Sequence, residues 1–289
     1  RRDPRMNLAM PAPSALPAAV WRIGIAVTLV LLLLAFVSVV WTPYPVGPVE
    51  VGAALQPPGG THLFGTDQLG RDLLSLVMRG MLTSFVVAAV AVAVGAVIGV
   101  PLGLAAASWG AIADWLLSAL GGYVAAVPAF AIAAILAARF GPSAGTAMVA
   151  LGLSMVPAFM ASTRVALYAG RRPGYAVAAQ LAGALPFEIV RRYSLPAFTR
   201  AIGAEMVAQL AVGVLGEAAL SFVGLGTAAP ATSLGLLLHD APLAGAGQPM
   251  LIAGPGLVLV LMVLALNITS RGLKARNFLA DPGASDAAA

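Results

Sequence analysis

RRPGYAVAAQLAGALPFEIVRRYSLPAF, residues 171–198, is the longest polar interruption in an otherwise apolar chain. It holds four arginines, one glutamate and three prolines, and runs of membrane length flank it on both sides. Charge at that density is expensive inside a bilayer, so the stretch is expected outside one. Its centre, residues 175–185, lacks proline and is rich in alanine, which predicts a short helix. Pro173 and Gly174 precede that helix, and Gly183 and Pro186 punctuate its end. No acidic residue occurs between Arg171 and Phe187. An apolar helix outside the membrane needs a groove in a partner. A loop that only supplied positive charge to one membrane face would account for the arginines, not for the helix between them.

Composition sets the context. Of 289 residues, 60% are hydrophobic and 9% charged, against about 25% charged in a soluble domain. Lipid is therefore the solvent for much of the surface, and one all-α membrane domain is expected. The net charge of +5, from 16 basic and 11 acidic residues, reads as membrane topology and not as a nucleic-acid footprint. Cysteine is absent, and the two histidines, His62 and His239, are far apart. Thiolate chemistry and a histidine-based metal site are not expected.

Outward from the loop, six apolar runs predict six spans at residues 21–41, 81–107, 115–138, 146–168, 202–223 and 250–269. The first is about 31 Å long as a helix, with tryptophan at both ends for the interfacial belt. It is read as a retained helix because no small-residue cleavage pattern follows it. The domains are then a tail at 1–20, the first span at 21–41, an external loop at 42–80, a five-helix core at 81–270 containing the loop 171–198, and a tail at 271–289. Within 42–80, residues 72–79 are expected as an amphipathic helix on the membrane surface. Residues 224–249 are expected as a loop. Pro101 is expected to kink or end the second span. Pro128 and Pro157, inside adjacent spans, suggest either kinked walls around a cavity or kinks without consequence. Gly95, Gly99 and Gly103 recur every four residues, so they share one helix face and allow close helix packing, with solute contact as the alternative.

An even number of spans puts both termini on one side. With the amino end inside, thirteen basic residues lie inside and three (Arg71, Arg79 and Arg139) lie outside. That bias places 171–198 and both tails in the cytoplasm.

No phosphate-binding loop of the Gly-x-x-x-x-Gly-Lys-Ser/Thr type occurs, and Lys274 is the single lysine. No paired carboxylates, Ser-x-x-Lys or His-Glu-x-x-His motif appears, so no enzyme is expected and no catalytic, cofactor or metal residue is assigned. Glu205 and Glu217 are the intramembrane acids. Glu205 is expected near the inner end of its span, within reach of water or Arg200. Glu217 either lines a cavity or makes structural hydrogen bonds. An ion-coupled carrier would carry more such residues and an inverted repeat.

The polar loop resembles the coupling signature of binding-protein-dependent ABC importer permeases: Glu-Ala-Ala, three residues, Gly, nine residues, Ile, any residue, Leu-Pro. Ala178 and Ala179, Gly183, and Leu195 and Pro196 match at full spacing, while Val177 stands at the glutamate and Tyr193 at the isoleucine. HLFGTDQLGRDLLS at 62–75, EAALSFVGLG at 217–226 and PGLVLVLMVLALNITSRGLKA at 255–275 are similar to the dipeptide/oligopeptide subfamily, C-type subunit. The resemblance implies a type I importer fold in the plasma membrane of a bacterial cell, a second (B-type) permease, two ATPase subunits that bind ATP and Mg, and an external solute-binding protein. It implies that Tyr175, Val177, Ala178, Ala179, Gly183 and Ala184 dock on an ATPase, with Leu195 and Pro196 fixing the start of the fifth span. Arg191 and Arg192 would meet acidic ATPase residues or lipid phosphates. Asp67, Arg71 and Asp72 would pair internally or meet the binding protein. The solute implied is a di- or oligopeptide; haem, nickel chelates and glutathione are the alternatives. A lone carrier and a scaffold subunit are the rival classes.

Overall fold

The computed structural model describes residues 18–47, 54–170, 195–241 and 248–279, and among them every regular element is helical. We number the helices α1 (Ala18–Val37), α2 (Leu73–Ser108), α3 (Ala111–Ala126), α4 (Ala129–Phe140), α5 (Ala144–Gly170), α6 (Leu195–Phe222), α7 (Leu234–Asp240) and α8 (Met250–Leu279). Five are long and apolar enough to cross a membrane. The pair α3 and α4, bent by 72°, makes a sixth crossing if taken as one span.

α2 is the axis of the molecule. It packs on α1, α3, α5, α6, α7 and α8. One apolar cluster joins its first half to α1, α6, α7 and α8 through Leu73, Leu76, Val77, Met81 and Phe85. A second joins Val87, Ala91 and Val92 to Ala133 of α4, to Ala147, Ala150, Leu151, Met155 and Phe159 of α5, and to Leu220 of α6. At 36 residues, α2 is about 54 Å long, well beyond the hydrocarbon core of about 30 Å.

Several expectations are corrected. Residues 72–79 are not a surface helix. Asp72 caps α2 by accepting from the Ser75 amide at 2.8 Å, and the turns that follow are interior, with Leu76 0% and Val77 1% exposed. Four buried apolar residues in two turns want protein on every side, and α7 and α8 supply it. Pro101 does not end α2, which runs on to Ser108. α5 holds Pro157 in its interior, where it was expected. Pro128, in contrast, breaks the third span outright. Val127 (φ −80°, ψ 118°) and Pro128 (φ −62°, ψ 134°) are both extended, because proline drives its predecessor out of the helical region. α6 begins at Leu195, earlier than the apolar run, and α8 continues to Leu279 through the residues assigned to a tail. The stretch 224–249 contains α7, capped by Ser233, whose hydroxyl accepts from the Leu236 amide at 3.2 Å.

α1 lies along α8. Thr28 and Thr269 meet at 3.4 Å, each hydroxyl donating to its own i−4 carbonyl at 2.8 Å. Back-bonding of that kind satisfies a hydroxyl without a polar partner in lipid.

Candidate functional site

Leu195 and Pro196 form the first turn of α6 and are exposed. Proline at a helix start costs no hydrogen bond, since that amide is unpaired anyway. Its carbonyl accepts from Thr199 Oγ1 at 3.2 Å and Arg200 Nε at 3.0 Å. α5 and α6 run antiparallel: a Cβ on Gly216 would meet Leu151 and one on Gly213 would meet Met155. The last turn of α5 and the first of α6 therefore open on the same face of the bundle. The segment between them, with Tyr175, Val177, Ala178, Ala179, Gly183 and Ala184, lies outside the described residues.

Two ion pairs brace that face. Arg164 Nε of α5 donates to Asp114 Oδ1 of α3 at 2.6 Å. Lys274 Nζ of α8 donates to Glu205 Oε2 of α6 at 3.0 Å, and Gln209 Nε2 donates to Glu205 Oε1 at 2.8 Å. Glu205 thus pairs with Lys274 and not with Arg200, whose guanidinium is turned to Pro196. Lys274 was missed because its helix was expected to end at residue 269, ten residues before Leu279. An apolar-run criterion stops at the first charge, whereas α8 is held onward by Lys274 and by Asn277, which donates to the Arg200 carbonyl at 2.9 Å.

Gly95, Gly99 and Gly103 line the seam between α2 and the parallel α5. A Cβ on Gly95 would lie 2.8 Å from Met155 Cβ, and one on Gly99 2.8 Å from Phe159 Cβ. One on Gly103 would lie 2.6 Å from the Met160 carbonyl. The stripe is helix packing, and Phe159 seals it at 0% exposure.

Glu217 of α6 is fully buried. Its Oε2 accepts from Ser84 Oγ of α2 at 2.6 Å; its Oε1 accepts from Ser221 Oγ at 2.6 Å and Thr227 Oγ1 at 3.1 Å. Ser221 Oγ also accepts the Thr227 amide at 2.9 Å. The acid thus ties α2 to the turn that follows α6. The sequence flagged Glu217 but not Ser84, Ser221 or Thr227. Ser221, one helical turn beyond the acid, could have been found by spacing, whereas Ser84 and Thr227 could not.

The opposite face from 171–194 is closed by a cap of short polar contacts. Asp72 Oδ1 bonds His62 Nδ1 at 3.0 Å, and Tyr44 stacks on His62 with centroids 4.4 Å apart. Asp67 pairs with Arg71 at 2.7 Å, an internal pairing as one of the two expectations had it. Gln68 Nε2 donates to the Asp240 carbonyl at 2.8 Å, and His239 Nδ1 donates to the Phe222 carbonyl at 2.7 Å. Burial, opposed by His239 and Arg71, pushes the Asp240 carboxyl above the usual carboxylate range.

The chain matches the family model described as binding-protein-dependent transport system inner membrane component over residues 99–276. A Brucella suis protein named as a peptide transport system permease is 31% identical over 88% of this chain and 86% of its own. The dipeptide transport system permease protein DppC of Alkalihalophilus pseudofirmus is 29% identical over 87% of this chain and 83% of its own. The oligopeptide transport system permease protein OppC of Mycobacterium bovis is 29% identical, over 86% and 87%. Among solved structures, an inward-facing conformation of the MetNI methionine ABC transporter superposes with a TM-score of 0.55 at 21% identity. It covers 69% of this chain and 95% of that one, which establishes the fold. The family match runs from Gly99, midway along the glycine seam, to Arg276 near the end of α8, and so encloses the braced face and the Glu217 cluster. The chain therefore belongs to the family of inner membrane components of binding-protein-dependent transport systems.

Proposed function

We propose that this chain is the C-type permease subunit of an ATP-driven importer that moves di- and oligopeptides into the cell. It works with a B-type permease, two ATPase subunits that bind ATP and Mg, and an external solute-binding protein. The helix at 175–185 docks on an ATPase through Tyr175, Val177, Ala178, Ala179, Gly183 and Ala184. Closure of the ATPase pair pulls on Leu195 and Pro196 and so on α6. Both termini and the segment 171–194 face the cytoplasm. The observation that supports the reading is the position of the two helix ends between which the signature-bearing segment runs. The two helices are antiparallel, each braced by an ion pair to a further helix. A pull on the segment then moves α6 as a body and does not fray its first turn. The peptide assignment is supported by the relatives, which are named as peptide, dipeptide and oligopeptide permeases. Allosteric coupling of this kind requires one two-state element biased at both ends, by nucleotide inside and loaded binding protein outside.

Reconstitution tests it. The complete set of subunits in vesicles is expected to take up labelled di- and tripeptides with ATP, and the single chain to transport nothing. Uptake by the single chain on an ion gradient would replace the importer with a lone carrier. ATP-driven uptake of haem, a nickel chelate or glutathione with no peptide uptake would reassign the solute alone.

A further inference from the structure

The break between α3 and α4 is exposed on a scale that no other spanning element shows. Seven consecutive residues, 122–128, are exposed, and among the α3 residues only Gly121 is buried. The break lies at membrane depth. On its α3 side, Gly121 faces the Met160 side chain of α5. On its α4 side, Ala133 sits among Ala147, Ala150 and Leu151 near the start of the same helix. The break is therefore level with the middle of α5, which crosses the membrane over Ala144–Tyr168.

Backbone polarity makes that position costly. The Val124 carbonyl would take its helical bond from residue 128, but Pro128 has no N–H; Val124 accepts instead from the Val127 amide at 3.2 Å. The carbonyls of Ala125 and Ala126 would take theirs from Ala129 and Phe130, which belong to a helix turned through 72°. Among the described residues no backbone bond bridges those two pairs. Two carbonyls and two amides are thus left without helical partners, and lipid satisfies none of them. Non-helical backbone at membrane depth persists only where protein covers it or water reaches it. Among the described residues none covers it.

Resting on the importer reading above, we infer that the Val127–Pro128 break forms part of the wall of the water-filled solute route. Water holds the free carbonyls of Ala125 and Ala126 and the free amides of Ala129 and Phe130 when the route is empty. The side chains around them are uncharged: GGYVAAVPAF at 121–130 has one polar group, the Tyr123 hydroxyl, and two exposed aromatic rings, Tyr123 and Phe130. A solute passing there meets backbone donors and acceptors set among uncharged side chains, with the Tyr123 and Phe130 rings beside them. That chemistry suits amide groups whatever the residues they join, and it selects poorly by side chain. α1 presents an exposed apolar stripe at Leu29, Leu33 and Phe36, which serves as the lipid reference.

The chain contains no cysteine, so single cysteines report without background. Ala126→Cys and Ala129→Cys change little volume, the first at an exposed position and the second at a half-buried one. Leu33→Cys on α1 is the lipid control and Leu63→Cys, 66% exposed in the outer cap, the water control. Each variant is assembled with its partner subunits in membrane vesicles and treated with a charged, membrane-impermeant thiol reagent. Only the thiolate reacts, and thiols ionise in water but not in lipid. The Ala126→Cys and Ala129→Cys variants are therefore expected to react at least about tenfold faster than the lipid control and within about tenfold of the water control. Reaction as slow as that of Leu33→Cys, in vesicles that still take up solute, overturns the inference, because protein or lipid then covers the break. Absence of uptake by the complete complex tells against the importer reading and leaves the labelling result to be read on its own.

Discussion

Glu217 shows how a single residue can fasten two parts of this molecule. A fully buried carboxylate survives only if its lone pairs are taken, and three hydroxyls take them. The substitutions Glu217→Leu and Glu217→Gln separate charge from hydrogen bonding. Leucine leaves the Ser84, Ser221 and Thr227 hydroxyls facing apolar surface, and one stranded polar group costs about 1–3 kcal/mol. Glu217→Leu is expected to lower the thermal midpoint in detergent by several degrees and to loosen the turn after α6, read as faster proteolysis there. Glutamine keeps an acceptor oxygen, and its amide turns toward a hydroxyl that can accept. Glu217→Gln is expected to keep most of the stability and to leave the pH profile of uptake unchanged. A strong loss of uptake with a displaced pH optimum would mean that the acid carries protons and does not merely hold helices together. The sequence identified the acid and left two roles open for it. The choice between them came from Ser84, which lies 133 positions away in the chain and could not be paired with it by spacing.

At the scale of the element, the α2–α5 seam makes the sharpest prediction. A Cβ on Gly99 would lie 2.8 Å from Phe159 Cβ and 3.2 Å from the Met160 amide nitrogen, and backbone cannot yield as a flexible side chain can. Gly99→Ala is expected to push α2 off α5 and to cost about 1–3 kcal/mol. Gly122→Ala is the control. It lies in α3 with nothing within 4 Å, so gaining a better helix former is neutral or stabilises by up to about 1 kcal/mol. Equal thermal midpoints for the two variants would remove the seam from the account of stability. The seam was legible because a four-residue glycine period puts the glycines on one helix face, and the contacts of α5 choose packing over solute contact. The helix ends were less legible. Residues 73–79 were hidden by Arg79, whose guanidinium reaches the Ser38 carbonyl at 3.2 Å, so a charge that reads as the edge of a span is absorbed inside the fold. The last turns of α8 were hidden in the same way by Lys274. Pro128 was legible as a perturbation, but Pro101 and Pro157 looked alike and left their helices unbroken. The difference lies in surroundings that a sequence does not state, since α2 and α5 are packed against each other along their length whereas α3 is not.

At the scale of the whole molecule, the importer reading requires force to enter at one face and change the other. The described structure has the parts for this. α6 starts on the face where 171–194 leaves and returns, is tied there to α8 by Glu205 and Lys274, and is tied near its far end to α2 by Glu217 and Ser84. A displacement of its first turn is thus shared with α8 at once and with α2 about 20 Å further on, at a rise of about 1.5 Å per residue. If the helix at 175–185 is where an ATPase pushes, disturbing its seat should separate hydrolysis from transport and leave the membrane body intact. Gly183→Trp makes that test, because a bulky ring at the position that ends the docking helix holds it away from any groove while touching none of the ties just named. The complete complex carrying Gly183→Trp is expected to assemble in the membrane at normal levels. Its ATP hydrolysis should lose stimulation by loaded binding protein, and peptide uptake should fall at least about tenfold, the equivalent of about 1.4 kcal/mol of coupling. Normal uptake would show that force enters elsewhere, and Val177 in place of the signature's glutamate would then mark a segment that no longer docks. Loss of uptake with stimulated hydrolysis retained would place the fault downstream of docking, at Leu195 and Pro196, where the pull must pass into α6.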